Sequence, residues 1–363
     1  MDDAVASLSP ADPLCLLDSE GRLNEQEDLT LDLSTEELQD LYRLMTVTRR
    51  VDKESINLQR QGQLAVYASC LGQEGAQIGS AYALSDEDWV FPSYREHGAA
   101  IVRGLQPEVL LQVWRGTWLG WHDPHEKRFA LQTIPIATHA LHAVGFALGA
   151  QLDGSAIVSL VYFGDGATSE GDLHEALNFG SVYDVPAVFF CQNNQYAISV
   201  PVSRQARVGT LAHRAAGYGI PGVRVDGNDV LACYAVTMKA LERARSGKGP
   251  SFIEAVTYRV EGHSTSDDPT RYRTREELEQ WAKLDPLLRM ELFLKSDGVW
   301  DDSFAQRVDD EANEYCARLR EAIYDAPHPD PTELFEHVYV EAPPHFERQR
   351  KQLEAELSAE EEE

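Results

Sequence analysis

Ala156-Ile-Val-Ser-Leu-Val-Tyr-Phe-Gly-Asp-Gly166 decides the fold. Its apolar run, Ala156 to Phe163, has the length of a buried strand and ends on a Gly-Asp-Gly turn. A helical pattern follows, and a second apolar run from Val185 to Cys191 ends at Asn193-Asn194. Two short strands flanking a helix make a right-handed parallel crossover. Ligands in such sheets bind beyond the carboxyl ends of the strands, so both turns open onto one crevice. A glycine turn there suggests phosphate, but Asp165 would sit against it. Like charges about 4 Å apart cost on the order of 4 kcal/mol at an effective dielectric near 20. A divalent cation removes the conflict, and Mg2+ commonly takes one or two carboxylates together with substrate phosphates. Asp165 and the side-chain oxygen of Asn193 or Asn194 can supply protein ligands, since neighbouring strands lie only about 4.8 Å apart. The pair of turns reads as Mg2+ holding a diphosphate.

The alternation continues outward. Val223-Arg-Val225 is a short strand before Asp226-Gly-Asn-Asp229, and Asp229 caps a helix that runs to Ser246 and stops at Gly247. Ser251 to Tyr258 makes the next strand and leads into a loop of small polar residues from Arg259 to Pro269. Upstream, the Ala- and Gly-rich segment Ala137–Ala150 suits a helix packed close against a sheet. Ser34-Thr-Glu-Glu37 forms a capping box for a helix that places Leu38, Leu41, Leu44 or Met45, and Val51 on one face before Gly62 ends it. Repeated strand–helix alternation predicts an α/β fold, a doubly wound, mostly parallel sheet with helices on both faces. The expected organisation is a weakly ordered acidic segment over 1–33, one diphosphate-binding domain over 34–340 and a helical acidic tail over 341–363.

Composition narrows the functional classes. A hydrophobic content of 43% supports a substantial core, and a formal charge of −28 leaves no basic stripe to neutralise nucleic-acid phosphates. No apolar stretch approaches the roughly 20 residues of a spanning helix, so no membrane association is expected. Met1-Asp2-Asp3 lacks the basic residues of a leader, which points to the cytoplasm. Cys15, Cys70, Cys191, Cys233 and Cys316 are odd in number, scattered and in no ligand spacing, as expected of reduced structural thiols.

Four motifs in order carry a resemblance. Phe163-Gly-Asp-Gly-Ala-Thr-Ser-Glu-Gly-Asp172, Phe189-Phe-Cys-Gln-Asn-Asn-Gln-Tyr-Ala-Ile-Ser199, Arg224-Val-Asp-Gly-Asn-Asp-Val230 and Gly262-His-Ser-Thr-Ser-Asp-Asp268 resemble the alpha subunit of the thiamin-diphosphate-dependent 2-oxo acid dehydrogenases, most closely the branched-chain type. The resemblance runs from about Leu38 to Phe346. It implies thiamin diphosphate and Mg2+ as cofactors, with Asp165 and Asn194 ligating the metal by side chain and Tyr196 by its backbone carbonyl. Gly164, Gly166 and Ala167 would approach the diphosphate; Tyr94-Arg95 and Arg259 match its phosphate-binding positions. Ile136 matches the residue that presses the cofactor into its bent form, with Ile134 and Ile198 also at cofactor-lining positions, and His263 matches the active-site histidine. Arginine forks suit a diphosphate, and a histidine titrating near neutrality suits proton transfer at the 2-oxo carbon.

The resemblance also has gaps. Gln192 stands where branched-chain relatives often carry arginine, and Gln195 where glycine is usual. Thr133–His139 occupies a segment that holds a monovalent cation in some relatives, but Ile134 and His139 differ from the usual residues. Ser264 matches a position phosphorylated in some relatives. The carboxylate that activates the aminopyrimidine ring normally sits on a second domain, which is not expected here, because one diphosphate-binding domain and a helical tail account for the residues read above. The resemblance therefore implies a beta subunit in a heterotetramer of two alpha and two beta chains, and a lipoyl-bearing acyltransferase core as acyl acceptor. Leu334–Tyr339 and the helix after Pro344 are candidate partner contacts. The expected reaction is oxidative decarboxylation of branched-chain 2-oxo acids, with pyruvate or acetoin as the alternative substrates. A dinucleotide-binding dehydrogenase is disfavoured, because Gly171 follows Gly164-Asp-Gly166 outside the G-x-G-x-x-G spacing.

Overall fold

The computed structural model describes residues 12–361 apart from 25, 27, 28, 30, 118, 119, 121, 328, 329 and 337. In chain order its strands are β1 (Trp89–Phe91), β2 (Ser159–Gly164), β3 (Ala187–Asn193), β4 (Tyr196–Ala197), β5 (Val200–Pro201), β6 (Gly222–Asp226) and β7 (Ser251–Val256). Five form one parallel sheet in the order β1-β2-β3-β7-β6, while β4 and β5 make a small antiparallel hairpin just past β3. The apolar run before Gly-Asp-Gly166 is β2, and the helix Gly171–Val182 carries the chain to its parallel neighbour β3.

Helices cover both faces, and the sheet is apolar on both for that reason. Alternate residues split between two cores. Leu160, Tyr162, Val188, Phe190 and Ile253 face the helices Glu74–Tyr82 and Val230–Arg245. Val161, Phe163, Phe189 and Phe252 face the helices Thr138–Leu152 and Gly171–Val182. Phe189 and Phe190 are fully buried, and each contributes roughly 2–3 kcal/mol of transfer free energy. A Cβ on Gly79 would stand 2.3 Å from the Val230 carbonyl oxygen, so only glycine lets those two helices meet. The helix Thr35–Arg60 buries Leu41, Leu44, Met45 and Val51 as its periodicity predicts. Its capping box is formed, with the Glu37 amide donating to Ser34 Oγ at 3.3 Å and the Ser34 amide donating to Glu37 at 2.8 Å; such a cap contributes about 1 kcal/mol. Asp229 caps the helix Val230–Arg245 through the amides of Leu231 and Ala232.

One strand carried no sequence signal, and one expectation changes. β1 is three residues long, too short for a periodic signal, and joins the sheet edge by pairing with β2. Within the segment expected to be weakly ordered, Leu14 bridges to Val225 of β6, and Leu16 and Leu17 are buried. Acidic surroundings mask a short apolar plug, Leu14-Cys-Leu-Leu17, whose amides at 16 and 17 donate to Asp229. Residues 1–11 of that segment lie outside the described residues. The five cysteines are free. Among the described residues no helix is long and apolar enough to cross a membrane.

Candidate active site

β2 ends at Gly164, and the chain turns at once into a 3-10 helix, Asp165–Ser169. The hairpin of β4 and β5 closes over this turn: a Cβ on Gly166 would lie 2.8 Å from that of Ala197. Asp165 is thereby buried, and burial pushes its carboxyl up to about 6 against a hydrogen bond from Gln205. Gln205 Nε2 donates to Asp165 Oδ2 at 2.6 Å and to the Val200 carbonyl at 2.8 Å.

The neighbouring asparagines divide their work. Asn193 donates to the buried Glu254 at 2.8 Å, which locks the loop. Asn194 turns toward Asp165, its side-chain oxygen 3.3 Å from Asp165 Oδ1 and 3.2 Å from the Tyr196 carbonyl oxygen, while its nitrogen faces Gln73 Oε1 at 3.2 Å. The Asn194 oxygen faces two other oxygens, although the Tyr196 amide donates to it at 3.4 Å and Arg259 donates to the Tyr196 carbonyl at 3.0 Å; the amide turned over would donate to Asp165 and to that carbonyl. The oxygen-facing arrangement suits a cation: edges of an octahedron with 2.1 Å ligand bonds are about 3.0 Å long. The donor set is one carboxylate, one amide and one backbone carbonyl, all hard oxygens of the kind Mg2+ takes. Among the described residues no group of three or more His, Cys, Asp or Glu side chains is placed to hold a metal.

The basic side reaches the crevice from other elements. Arg95, just before the helix His97–Val102, donates to the Ser69 carbonyl at 2.5 Å and to the His263 carbonyl at 2.8 Å. Arg259, three residues past β7, donates to the carbonyls of Tyr196 and Ile198 and to the Tyr272 hydroxyl. Neither fork ends on a carboxylate. His263 Nδ1 lies 3.4 Å from Arg95 Nη2, which puts the lone pair on Nδ1 and the proton on Nε2. Burial, then the charges of Arg95 and Arg259, lower the His263 pKa to about 4, so the ring is neutral at pH 7. Glu96 is fully buried, hydrogen-bonded to Ser93 and Gln192, and its pKa is raised by burial.

Tyr94, Arg95, Ile136, Gly164, Asp165, Gly166, Ala167, Asn194, Tyr196, Ile198, Arg259 and His263 line one cleft of ≈ 270 Å³. Ile134 lies outside that lining and is 57% exposed. Sequence reasoning did not single out Gln73, Ser93, Glu96 or Glu170, which also line the cleft. His139, noted only as a departure, lines it too; its Nε2 is bound to the Tyr162 carbonyl. Unpartnered buried polar atoms gather here: Gln73 Nε2, His139 Nδ1, Gln205 Oε1 and Arg259 Nε. So do left-handed residues that are not glycine, Ala137 (φ 67), Gln195 (φ 78) and Ile198 (φ 54). Each such residue costs of order 1–3 kcal/mol, a strain that concentrates at functional sites. The φ of Gln195 also accounts for glycine being usual at that position.

These features fit a diphosphate held through a divalent cation. The chain matches the family described as Dehydrogenase E1 component over residues 42–332. The chain belongs to that family. The E1 family implies thiamin diphosphate as cofactor, and the glycine-lined turn, unpartnered polar atoms and two arginines suit its diphosphate end. The E1 chain is 50% identical over 347 residues, 96% of its length and 95% of the relative's, to the 3-methyl-2-oxobutanoate dehydrogenase subunit alpha of Mycobacterium tuberculosis strain H37Rv. It is 40% identical over 338 residues, 92% of its length and 90% of the relatives', to the pyruvate dehydrogenase E1 component subunit alpha of Staphylococcus epidermidis and of Staphylococcus aureus.

Proposed function

We propose that this chain is the alpha subunit of a branched-chain 2-oxo acid dehydrogenase, decarboxylating 3-methyl-2-oxobutanoate and its homologues and passing the acyl group to a lipoyl arm. The observation that carries this reading is the 50% identity over 96% of the chain to a subunit of that activity. Asp165, Asn194 and the Tyr196 carbonyl hold Mg2+; Gly166, Ala167, Arg95 and Arg259 receive the diphosphate. Bound there, thiamin diphosphate supplies the nucleophilic carbon and the electron sink for loss of CO2. Ile136 and Ile198 give the cofactor an apolar rest. His263, neutral with its proton on Nε2, donates to charge developing on substrate oxygen. Replacing His263 by Ala leaves cofactor binding intact and lowers lipoyl acylation by about 10²–10⁴-fold; unchanged acylation removes it from this role.

A beta subunit completes the site, and two alpha and two beta chains form the cytoplasmic heterotetramer. Exposed apolar side chains support a partner surface. Leu141 and Leu152 on one helix, with Phe179, Val182 and Tyr183 at the end of the helix packed against it, are exposed. Leu334, Val338 and Tyr339, ahead of the terminal helix Pro344–Glu361, are exposed as well; His337 lies outside the described residues. Pyruvate is the second reading, supported by the 40% identity to pyruvate dehydrogenase subunits. With the beta subunit, thiamin diphosphate and Mg2+ present, kcat/KM for 3-methyl-2-oxobutanoate is expected to exceed that for pyruvate. The reverse preference moves the enzyme to the pyruvate branch while keeping its cofactor.

A further inference from the structure

Arg95 and His263 come from segments far apart in sequence, and what holds them together is a third segment, Tyr67–Leu71. Ser69 presents its carbonyl to Arg95 Nη1 at 2.5 Å. Tyr67 pairs with the histidine loop in both directions, its amide donating to Thr265 Oγ1 at 3.0 Å and its carbonyl accepting from the Thr265 amide at 2.9 Å. The Leu71 carbonyl accepts from the Val260 amide at 3.1 Å, one residue past Arg259. Segment 67–71 thus contacts one arginine directly and braces the loop that carries the histidine.

This segment has no regular secondary structure of its own to fix it. His97 Nε2 bonds the Ala68 carbonyl at 2.9 Å, and a single carboxylate gathers the remaining donors. Asp52, fully buried on the helix Thr35–Arg60, accepts the Tyr67 hydroxyl and the Cys70 amide at Oδ1, both at 2.8 Å, and the Ser69 hydroxyl at Oδ2 at 2.5 Å. Ser69 Oγ in turn accepts the Leu71 amide at 3.1 Å. No lysine, arginine or histidine forms an ion pair with Asp52 among the described residues. A buried carboxylate served only by three neutral donors from one four-residue stretch is an expensive arrangement unless the position of that stretch matters.

We propose that Asp52 is a positioning residue of the active site, acting through Ser69 on Arg95 and through Tyr67 on the loop of His263. The inference rests on the reading of Arg95 and His263 as active-site groups. An asparagine at 52 keeps one acceptor oxygen but turns an N–H2 toward a donor. The segment then shifts, Arg95 loses its place beside His263, and misplacement of about 1 Å costs up to about 100-fold in rate.

The test uses the chain assembled with its beta subunit and carries two variants, Asp52→Asn and the milder Ser69→Ala. Expected for Asp52→Asn is a fall in kcat of about 10- to 100-fold, with KM for the 2-oxo acid held within about twofold; Ser69→Ala moves the same way by less. An independent readout is the pH profile of His263 modification by diethyl pyrocarbonate, with His263→Ala as the blank. The histidine apparent pKa rises in both variants, because Arg95 no longer sits against the ring; loss of packing without displacement of Arg95 leaves it where it was. Wild-type kcat in both variants overturns the proposal, as does an unmoved His263 profile in folded, assembled protein. If the wild-type complex decarboxylates no 2-oxo acid, the functional reading fails instead, and the modification profile alone decides the positioning role.

Discussion

Asp165 and Asp229 are both buried carboxylates just past the carboxyl ends of strands in one sheet, yet they do opposite work. Asp229 accepts four backbone amides, from Leu16, Leu17, Leu231 and Ala232, at 2.6–3.0 Å. It ties the amino-terminal plug to a helix cap, and its charge is spent on structure. Asp165 receives one side-chain amide, from Gln205, with help from backbone amides of its own turn and of Asn194, and its Oδ1 faces the Asn194 side-chain oxygen at 3.3 Å. Burial alone does not mark a functional carboxylate. What sets it apart is the Asn194 oxygen turned toward its own Oδ1, a facing pair that a cation would satisfy.

The contrast sharpens into experiments. Asp165→Ala is expected to abolish Mg2+-dependent binding of thiamin diphosphate, read by calorimetric titration of the assembled enzyme; tight binding that persists would break the metal assignment. Asp229→Ala removes a cap and strands the amides of Leu16 and Leu17, costing about 3 kcal/mol in a denaturant titration. If it proves no more harmful than a surface change, the anchoring role is wrong. A smaller effect is pH dependence. With the Asp165 carboxyl raised to about 6, protons compete with the cation below that value, and Mg2+ affinity falls by about tenfold per pH unit as acid is added. The same shift acts with opposite sign on the metal-free fold. Its contribution is fully present below the ordinary carboxyl range and is lost as pH rises through about 6. Asp165→Asn then stabilises metal-free protein at pH 8 by about 3 kcal/mol and leaves it unchanged at pH 3. Equal effects at both pH values would contradict the raised carboxyl.

Much of this was legible in the chain. The run ending at Gly164-Asp-Gly166, the Asn193-Asn194 turn, the capping box at Ser34 and the cap at Asp229 are local patterns, and each forms as its neighbours in sequence dictate. Spacing could say that two strands and their turns meet at one crevice. It left open which asparagine faces Asp165. Glu254, on the adjacent strand β7, decides that by taking Asn193.

Other features had no local signal. β1 is too short to show a period, and Leu14–Leu17 is buried by β6 and by Asp229, more than 200 residues away. Arg95 and His263 meet across 168 residues of chain, and Asp52 reaches Ser69 across 17, through packing. By itself the sequence determined the α/β class, the strand ends that make the site and the residue types able to hold a cation and a diphosphate, since these follow from periodicity and turn chemistry. The tertiary structure alone decided which polar groups are satisfied and which are left facing the cleft, because a hydrogen-bond partner is set by position in space.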